Sequence, residues 1–481
     1  MPVSMQVRRV ETEIDHSIAA LQVWNTPRET LLRAILEYYR DEIELVFTRA
    51  SVGLQLNDAT ELESGFGRER DLHAGVLQAL KWAMELSSPY SEGASPNVEV
   101  VHEVIDLGWR YEVLVDALKM ANHDRVAIAV DNATRTLTVY EGGDRTGVDA
   151  QLVAHQHRTL PLHAQVPLIA DEDQLTTKWT AGDFRRVIGR LATVATNVES
   201  EEVVSTFGGR ETSLFNRPVI FEIADAPEAA EQAVLEDLTL TADKVAGLNK
   251  WRLASWMDVP LVAVGLGRLA VSNIVKALAG LVRDDYMLRV AIRSDEKQYV
   301  QASELRANRM IDACRTCLEA YGWKVRPKWK LTDPDREVDI YATREERHLV
   351  LSLKSTLRPE TPWEVLKRNE DVMKGISHTG ETLHRFPEGA VGLVVTDGYR
   401  GDYTTWAAAL ARSVMIGTLE DMGDIAMDPA ASLVLLTSRA GFDGNSQGSP
   451  IPDRELELAG WTLRLVDAPE QSHRTGDHGG P

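Results

Sequence analysis

The sequence reads as an α/β protein, α+β over its N-terminal region, ending in a mixed sheet flanked by helices. Three observations lead there. Glu337–Lys354 (EVDIYATREERHLVLSLK) holds two apolar runs at period two around a charged connection, Thr343–Arg347, which is a β-hairpin signature. Helical stretches bracket it: Ser303–Tyr321, with Ser303 as its cap, and Pro362–Ile376, opening on proline. Beyond them Val391–Asp397 (VGLVVTD), an Ala-rich helix over Asp402–Val414, and Met415–Met422 alternate strand, helix and strand.

In chain order, residues 1–90 are expected to be helical. Thr26-Pro-Arg-Glu opens one helix, and Arg68–Leu86 carries apolar residues at helical spacing. Ser87–Pro96 has linker composition. Residues 97–295 are expected to mix strands and helices as a domain of sensing or recruitment. Val98–Ile105 and Arg125–Val130 read as strands with Arg110–Ala121 helical between them, and Arg125–Tyr140 as a hairpin turning at Asp131-Asn132. Phe184–Val198, Ala242–Met257 and Gly267–Leu281 read as helices, and Tyr286–Ile292 as a strand before a boundary at Arg293–Tyr299. The G-x-G of Val264–Arg268 lacks the third glycine of a dinucleotide fingerprint and reads as a tight helix entry. At the C-terminus, Ala431–Thr437 and Trp461–Val466 are expected as edge strands appended to a 300–467 domain. The loop Gly441–Asp453 separates them, and residues 468–481 are expected to be a disordered tail.

The informative feature is polar content inside the hairpin. Alternation puts Val338, Ile340 and Ala342 on one face of the first run and Asp339 and Tyr341 on the other. In the second run Leu349, Leu351 and Leu353 oppose Val350, Ser352 and Lys354. A carboxylate and an ammonium thus project from core-like strands, where charges are kept only if paired or at work. Pairing across the hairpin, or simple solvation at a sheet edge, is the structural alternative.

Asp339, a short hairpin and Ser352-x-Lys354, in that order of helices and strands and followed by GLVVTDGYRGDYTTWAAALA, resemble the PD-(D/E)XK nuclease core, in particular restriction endonucleases of the Mrr type, over residues 303–427. The resemblance implies a restriction-endonuclease-like fold and metal-dependent cleavage of DNA, in restriction or antiviral defence. It makes Asp339 a ligand of Mg²⁺ or Mn²⁺, a hard cation that takes oxygen donors and keeps waters. Lys354 would orient or deprotonate the attacking water. Ser352 stands where the family usually has a carboxylate, so the second acid must come from elsewhere. Glu370, as a second metal ligand on the following helix, and Glu304, on the preceding one, are the favoured donors, with Glu364 behind them.

The chain has 52 Lys and Arg against 73 Asp and Glu, a net charge of −21, which argues against electrostatic wrapping of nucleic acid. Yet residues 301–400 hold 17 Lys and Arg against 16 Asp and Glu, so the acidity lies elsewhere. Lys324, Arg326, Lys328 and Lys330 alternate through WKVRPKWK, so they are expected to present four cations on one strand face toward a phosphate backbone; a lysine-guarded edge strand reads equally well. The only cysteines, Cys314 and Cys317, sit mid-helix and read as packing rather than zinc or redox chemistry. Their scarcity fits a cytoplasmic protein. His155, His157 and His163 read as residues of a loop or a strand surface rather than a metal site. Val259–Val282 is too interrupted by polar residues to span a membrane. Expected partners are DNA, a protein bound through the acidic N-terminal region, and a second copy in a homodimer. The alternative function is an inactive nuclease fold that binds nucleic acid or protein.

Overall fold

A computed structural model describes residues 3–56, 59–88, 95–122, 126–141, 168–207, 219–247, 261–265, 267–272, 284–294, 296–330, 337–355, 362–397, 401, 403–429, 431–432 and 454–467. It is a mixed α/β protein with three open sheets flanked by helices. The first unit is a helical bundle of α1 (Val3–Ala19), α2 (Arg28–Leu56), α3 (Ala59–Leu86) and α4 (Val98–Asn122). The segment Val98–Ile105 is therefore helix, not strand. Its valines and isoleucine favour strands locally, but Val101, Val104, Ile105 and Gly108 recur at helical spacing and are buried. Contact with α3 is unusually close. A Cβ on Gly75 would lie 2.3 Å from the Ile105 carbonyl oxygen, and one on Gly108 2.6 Å from that of Gly75. The expected hairpin follows as β1 (Ala127–Asp131) and β2 (Thr136–Glu141), its turn held by the Ala133 N–H donating to the Asp131 carboxylate at 2.9 Å.

The middle unit comprises α5 (Ala181–Phe207), β3 (Val219–Glu222), α6 (Ala229–Leu238), β4 (Thr239–Leu240), α7 (Ala242–Gly247), β5 (Leu261–Val264) and β6 (Gly267–Ser272). Its sheet, ordered β3-β6-β5-β4, is packed on both faces. Val219, Phe221, Leu261 and Ala270 join the core built on α5 and α6, whereas Val262, Val264 and Leu269 join the bundle core. Gly267 begins a strand rather than a helix, and the glycines of Val264–Arg268 make the β5–β6 turn, with Gly265 at φ +58°. Residues 273–281 of that expected helix, and 248–257 of Ala242–Met257, lie outside the described residues.

Tyr286–Ile292 is also helix rather than strand, within α8 (Asp284–Ser294), because Tyr286, Met287, Val290 and Ala291 form a buried stripe against the middle core. α9 (Glu296–Ala320) follows at once. Its Ala302 belongs to the middle core and its Met310, Cys314 and Leu318 to the next, so Arg293–Tyr299 joins two units packed along one helix instead of forming a linker. Ser303 falls inside α9 and caps nothing.

The C-terminal unit holds β7 (Lys324–Lys330), β8 (Glu337–Arg344), β9 (Arg347–Lys354), α10 (Pro362–Leu383), β10 (Val391–Thr396), α11 (Tyr403–Ala411), β11 (Val414–Thr418) and α12 (Met422–Met427). The sheet order is β11-β10-β9-β8-β7, antiparallel across β7, β8 and β9 and parallel across β9, β10 and β11. Ala431 and Ser432 are helical; the rest of the expected Ala431–Thr437 strand, the Gly441–Asp453 loop and the 468–481 tail lie outside the described residues.

The last two strands do not extend this sheet. β12 (Arg454–Leu458) and β13 (Trp461–Asp467) complete the first one, in the order β1-β2-β13-β12, with β13 parallel to β2. Leu458, Trp461, Leu463 and Leu465 enter the bundle core. The expected 300–467 domain thus does not include β12 and β13. No helix among the described residues is long and apolar enough to cross a membrane.

Candidate functional site

The β8–β9 register pairs Ile340 with Leu351 and Tyr341 with Val350, so Asp339 projects on the face shared by Val350, Ser352 and Lys354. Ile340 and Leu351 form the last pair of that ladder. Beyond it the strands part, and the Asp339 carboxylate accepts the freed Leu353 N–H at 2.6 Å through Oδ2. This backbone bond holds the carboxylate in place while Oδ1 stays available as an acceptor. Asp339 is half-buried and Ser352 is buried, at 3 % exposure.

Lys354 is half-buried on the same face, level with Thr396 of the parallel neighbour β10. α10 covers this face. Gly375 makes room there, since a Cβ at that position would lie 3.0 Å from Lys354 Cε. Thr396 is fully buried, and its hydroxyl has no hydrogen-bond partner among the described residues. Asp339 and Lys354 form no ion pair, with each other or with any other group, among the described residues. The cross-hairpin pairing that would have explained both charges away is not made.

The supporting acids are placed differently. α9 lies on the other face of the sheet, where Arg306 donates to Ser355 Oγ at 3.0 Å and meets Asp397 at 2.5 Å in an ion pair whose side chains are each 4 % exposed. Glu304 is exposed. It is two residues from both Ala302 and Arg306, which turn inward, so it points away from the sheet. Because α9 starts at Glu296, Glu304 is not early in the helix, and the structure does not bring it to Asp339. Glu364 is held by Arg289 of α8 through two hydrogen bonds of 2.9 Å. Glu370 is half-buried one position from the inward-facing Asn369 and pairs with Lys367 at 3.1 Å. Among the described residues no three His, Cys, Asp or Glu side chains gather as a metal cage. Of the expected ligands, Asp339 is the one that keeps a carboxylate oxygen open on this face, and a cation of the Mg²⁺ type binds through one or two carboxylates with water and substrate phosphate in its remaining positions.

All four cations of β7 are exposed on this edge strand, but they do not share one face. Lys328 adopts φ +47° and drops out of the β7–β8 pairing, and its ammonium donates to Asn308 on α9 at 3.0 Å. Arg326 lies opposite Tyr341, on the face of Asp339. Cys314 is buried in the C-terminal core, and burial, reinforced by Cys317 and Asp339, pushes its thiol up to about 12, as a packing role requires. The three histidines His155, His157 and His163 lie outside the described residues.

Two features were not anticipated from sequence. Arg306 carried a readable signal, because it interrupts the apolar stripe Ala302, Met310, Cys314 and Leu318 and so had to find a buried partner. The cluster of Tyr341, Trp329 and Phe386 carried none, since it is assembled from three separate segments. No family model, curated protein or solved structure matches this chain.

Proposed function

We propose that the C-terminal unit hydrolyses phosphodiester bonds of DNA with a divalent cation held at Asp339, as the Mrr-type resemblance implies. The observation that carries this reading is the meeting of Asp339, Ser352 and Lys354 on one helix-covered face, with neither charge spent on an ion pair among the described residues. Bound there, Mg²⁺ or Mn²⁺ would supply Lewis acidity to the phosphate and a more acidic water. Asp339 presents Oδ1 while its other oxygen stays anchored to Leu353 N–H. Lys354 extends from β9 on the same face, with its stem passing Gly375. Its three donors can orient an attacking water and stabilise charge developing on the phosphorus oxygens. Ser352 offers a neutral hydroxyl beside them. The two free cysteines support placing this activity in a reducing cytoplasm.

The test is nicking of supercoiled plasmid by purified protein with Mg²⁺ or Mn²⁺. Asp339→Asn keeps the shape and one acceptor oxygen, and Lys354→Met keeps the apolar stem. Lys354→Met should lower the rate about 10²–10⁴-fold, the range for removing a positioned acid–base group, and Asp339→Asn, which takes the charge from the metal ligand, should lower it as well. Equal activity in all three proteins would refute the assignment. The second reading, a nuclease fold that binds nucleic acid without cutting it, is favoured by Ser352, a neutral hydroxyl where the family usually has a carboxylate. It predicts no cleavage by the wild-type protein with either metal.

A further inference from the structure

Tyr341 follows Asp339 by two residues on β8 and therefore shares its face. Its ring is the hub of an aromatic cluster. The Phe386 ring, from the turn after α10, lies 4.9 Å away between centroids, and that of Trp329 on β7 lies 5.9 Å away. His348 stacks at 6.1 Å with planes 6° apart and hydrogen-bonds the tyrosine hydroxyl at 2.9 Å. All four rings are half-buried, so the cluster is neither closed core nor loose surface.

Plain alternation would not bring Trp329 here, because its register partner is Val338, on the opposite face of β8 from Tyr341. The left-handed Lys328 reverses the alternation. Arg326 and Trp329, three residues apart, come to the same face, with the guanidinium 4.7 Å from the indole centroid. A lysine at positive φ is uncommon and unfavourable, and such strain persists where the surrounding structure uses the geometry it produces. Here it produces an indole and a guanidinium beside Tyr341, on the face that Asp339 shares.

Resting on the proposed function, we infer that Trp329, Tyr341 and Phe386 form a base-stacking platform for single-stranded nucleic acid, so that the phosphodiester offered to Asp339 and Lys354 belongs to an unpaired nucleotide. Half-exposed rings can stack on bases only when those bases are not already stacked in a duplex. Exposed Lys324, Arg326 and Lys330 run along the same edge strand and suit a backbone threaded beside the rings. The chain's charge of −21 weakens long-range attraction of duplex DNA but not a short-range stacking contact.

The experiment is fluorescence anisotropy of labelled oligothymidylate, and of a duplex of equal length, titrated with the full-length protein in EDTA over a range of salt. Trp329→Ala and Phe386→Ala should each weaken oligothymidylate binding about tenfold and leave the salt slope unchanged. Arg326→Ala should lower that slope by about 0.7. Trp329→Phe should restore most of the affinity. Phe386 lies outside the sheet, so its variant decides the matter if Trp329→Ala fails to fold. Unchanged oligothymidylate binding in a folded variant overturns the inference, as does tighter binding of duplex with the same loss. Because binding is read without metal, failed cleavage with intact stacking would refute only the catalytic reading.

Discussion

Removing the carboxylate of Asp397 should be among the most damaging single changes available in the C-terminal unit. Arg306 and Asp397 are each 4 % exposed at the side chain, and among the described residues the guanidinium also donates to the Ser355 hydroxyl and lies within electrostatic reach of Asp284. Asp397→Ala takes away the carboxylate in contact with this buried charge and leaves it the Ser355 hydroxyl and the more distant Asp284, a loss of about 3–5 kcal/mol for a broken buried pair. For a cooperative unit of this size that corresponds to a fall in Tm of roughly 6–20 °C. The double variant Arg306→Met, Asp397→Leu removes both charges and fills their space. It should lie within about 1 kcal/mol of the wild type or above it, because desolvating two ions offsets most of their attraction. Urea melts of the four proteins in a double-mutant cycle measure this directly. If Asp397→Ala loses less than about 1 kcal/mol in a cooperative transition, the pair is open to water and the burial argument fails. If the double variant is as damaged as the single one, the pair is needed for specificity rather than balanced against desolvation.

Two further outcomes concern the helical bundle. Burial, with Asp116 adding to it, pushes the Glu112 carboxyl up to about 7, against pulls from Lys119 and Lys81. An acid raised in the folded state holds its proton more tightly than the unfolded chain, so stability is full below about pH 4.5 and declines as pH rises to about 7. The decline should reach about 3 kcal/mol once the pH is well above 7. Glu112→Gln should flatten it and be the more stable protein at pH 8; melts at pH 5 and pH 8 decide. Ala at Gly75 or Gly108 would set a methyl within 2.3 or 2.6 Å of a backbone oxygen, which must separate α3 from α4. Helix propensity gains about 1 kcal/mol. Overpacking against backbone should outweigh it by about 1–3 kcal/mol, and a variant with an unchanged or raised Tm would show that the helices are not in contact there.

What could be read ahead of the structure was local. The hairpin Glu337–Lys354 declared itself by alternation, and the same alternation placed Asp339 with Tyr341 and Ser352 with Lys354, as the register bears out. The β1–β2 hairpin at Asp131-Asn132 was equally legible. Misreadings came where β-branched residues lie on helices, as in Val98–Ile105, because valine's preference for strands is weaker than burial of a helical stripe against α3. They came also at Gly267, where one glycine punctuates strands and helices alike and only pairing with β5 and β3 distinguishes them. The family resemblance pointed to Glu304 on the preceding helix and Glu370, with Glu364 behind, on the following one, but the order of elements says nothing of the α9 start at Glu296, of Lys367 beside Glu370 or of Arg289 as the partner of Glu364.

By itself the sequence determined the alternating strands, the order of helices around them, and the pair of charges that share one face of the hairpin. These follow from side-chain periods of two and about 3.6, which each short segment carries within itself. Tertiary structure alone decided that Asp339 is anchored to Leu353 N–H, that Lys328 swings to α9 while Trp329 joins Tyr341, and that β13 returns to pair with β2. The last contact joins Thr136 to Thr462, and its residues carry no local mark of their partner. A segment's period tells which of its side chains are buried together; which distant segment buries them is settled only when the whole chain has packed.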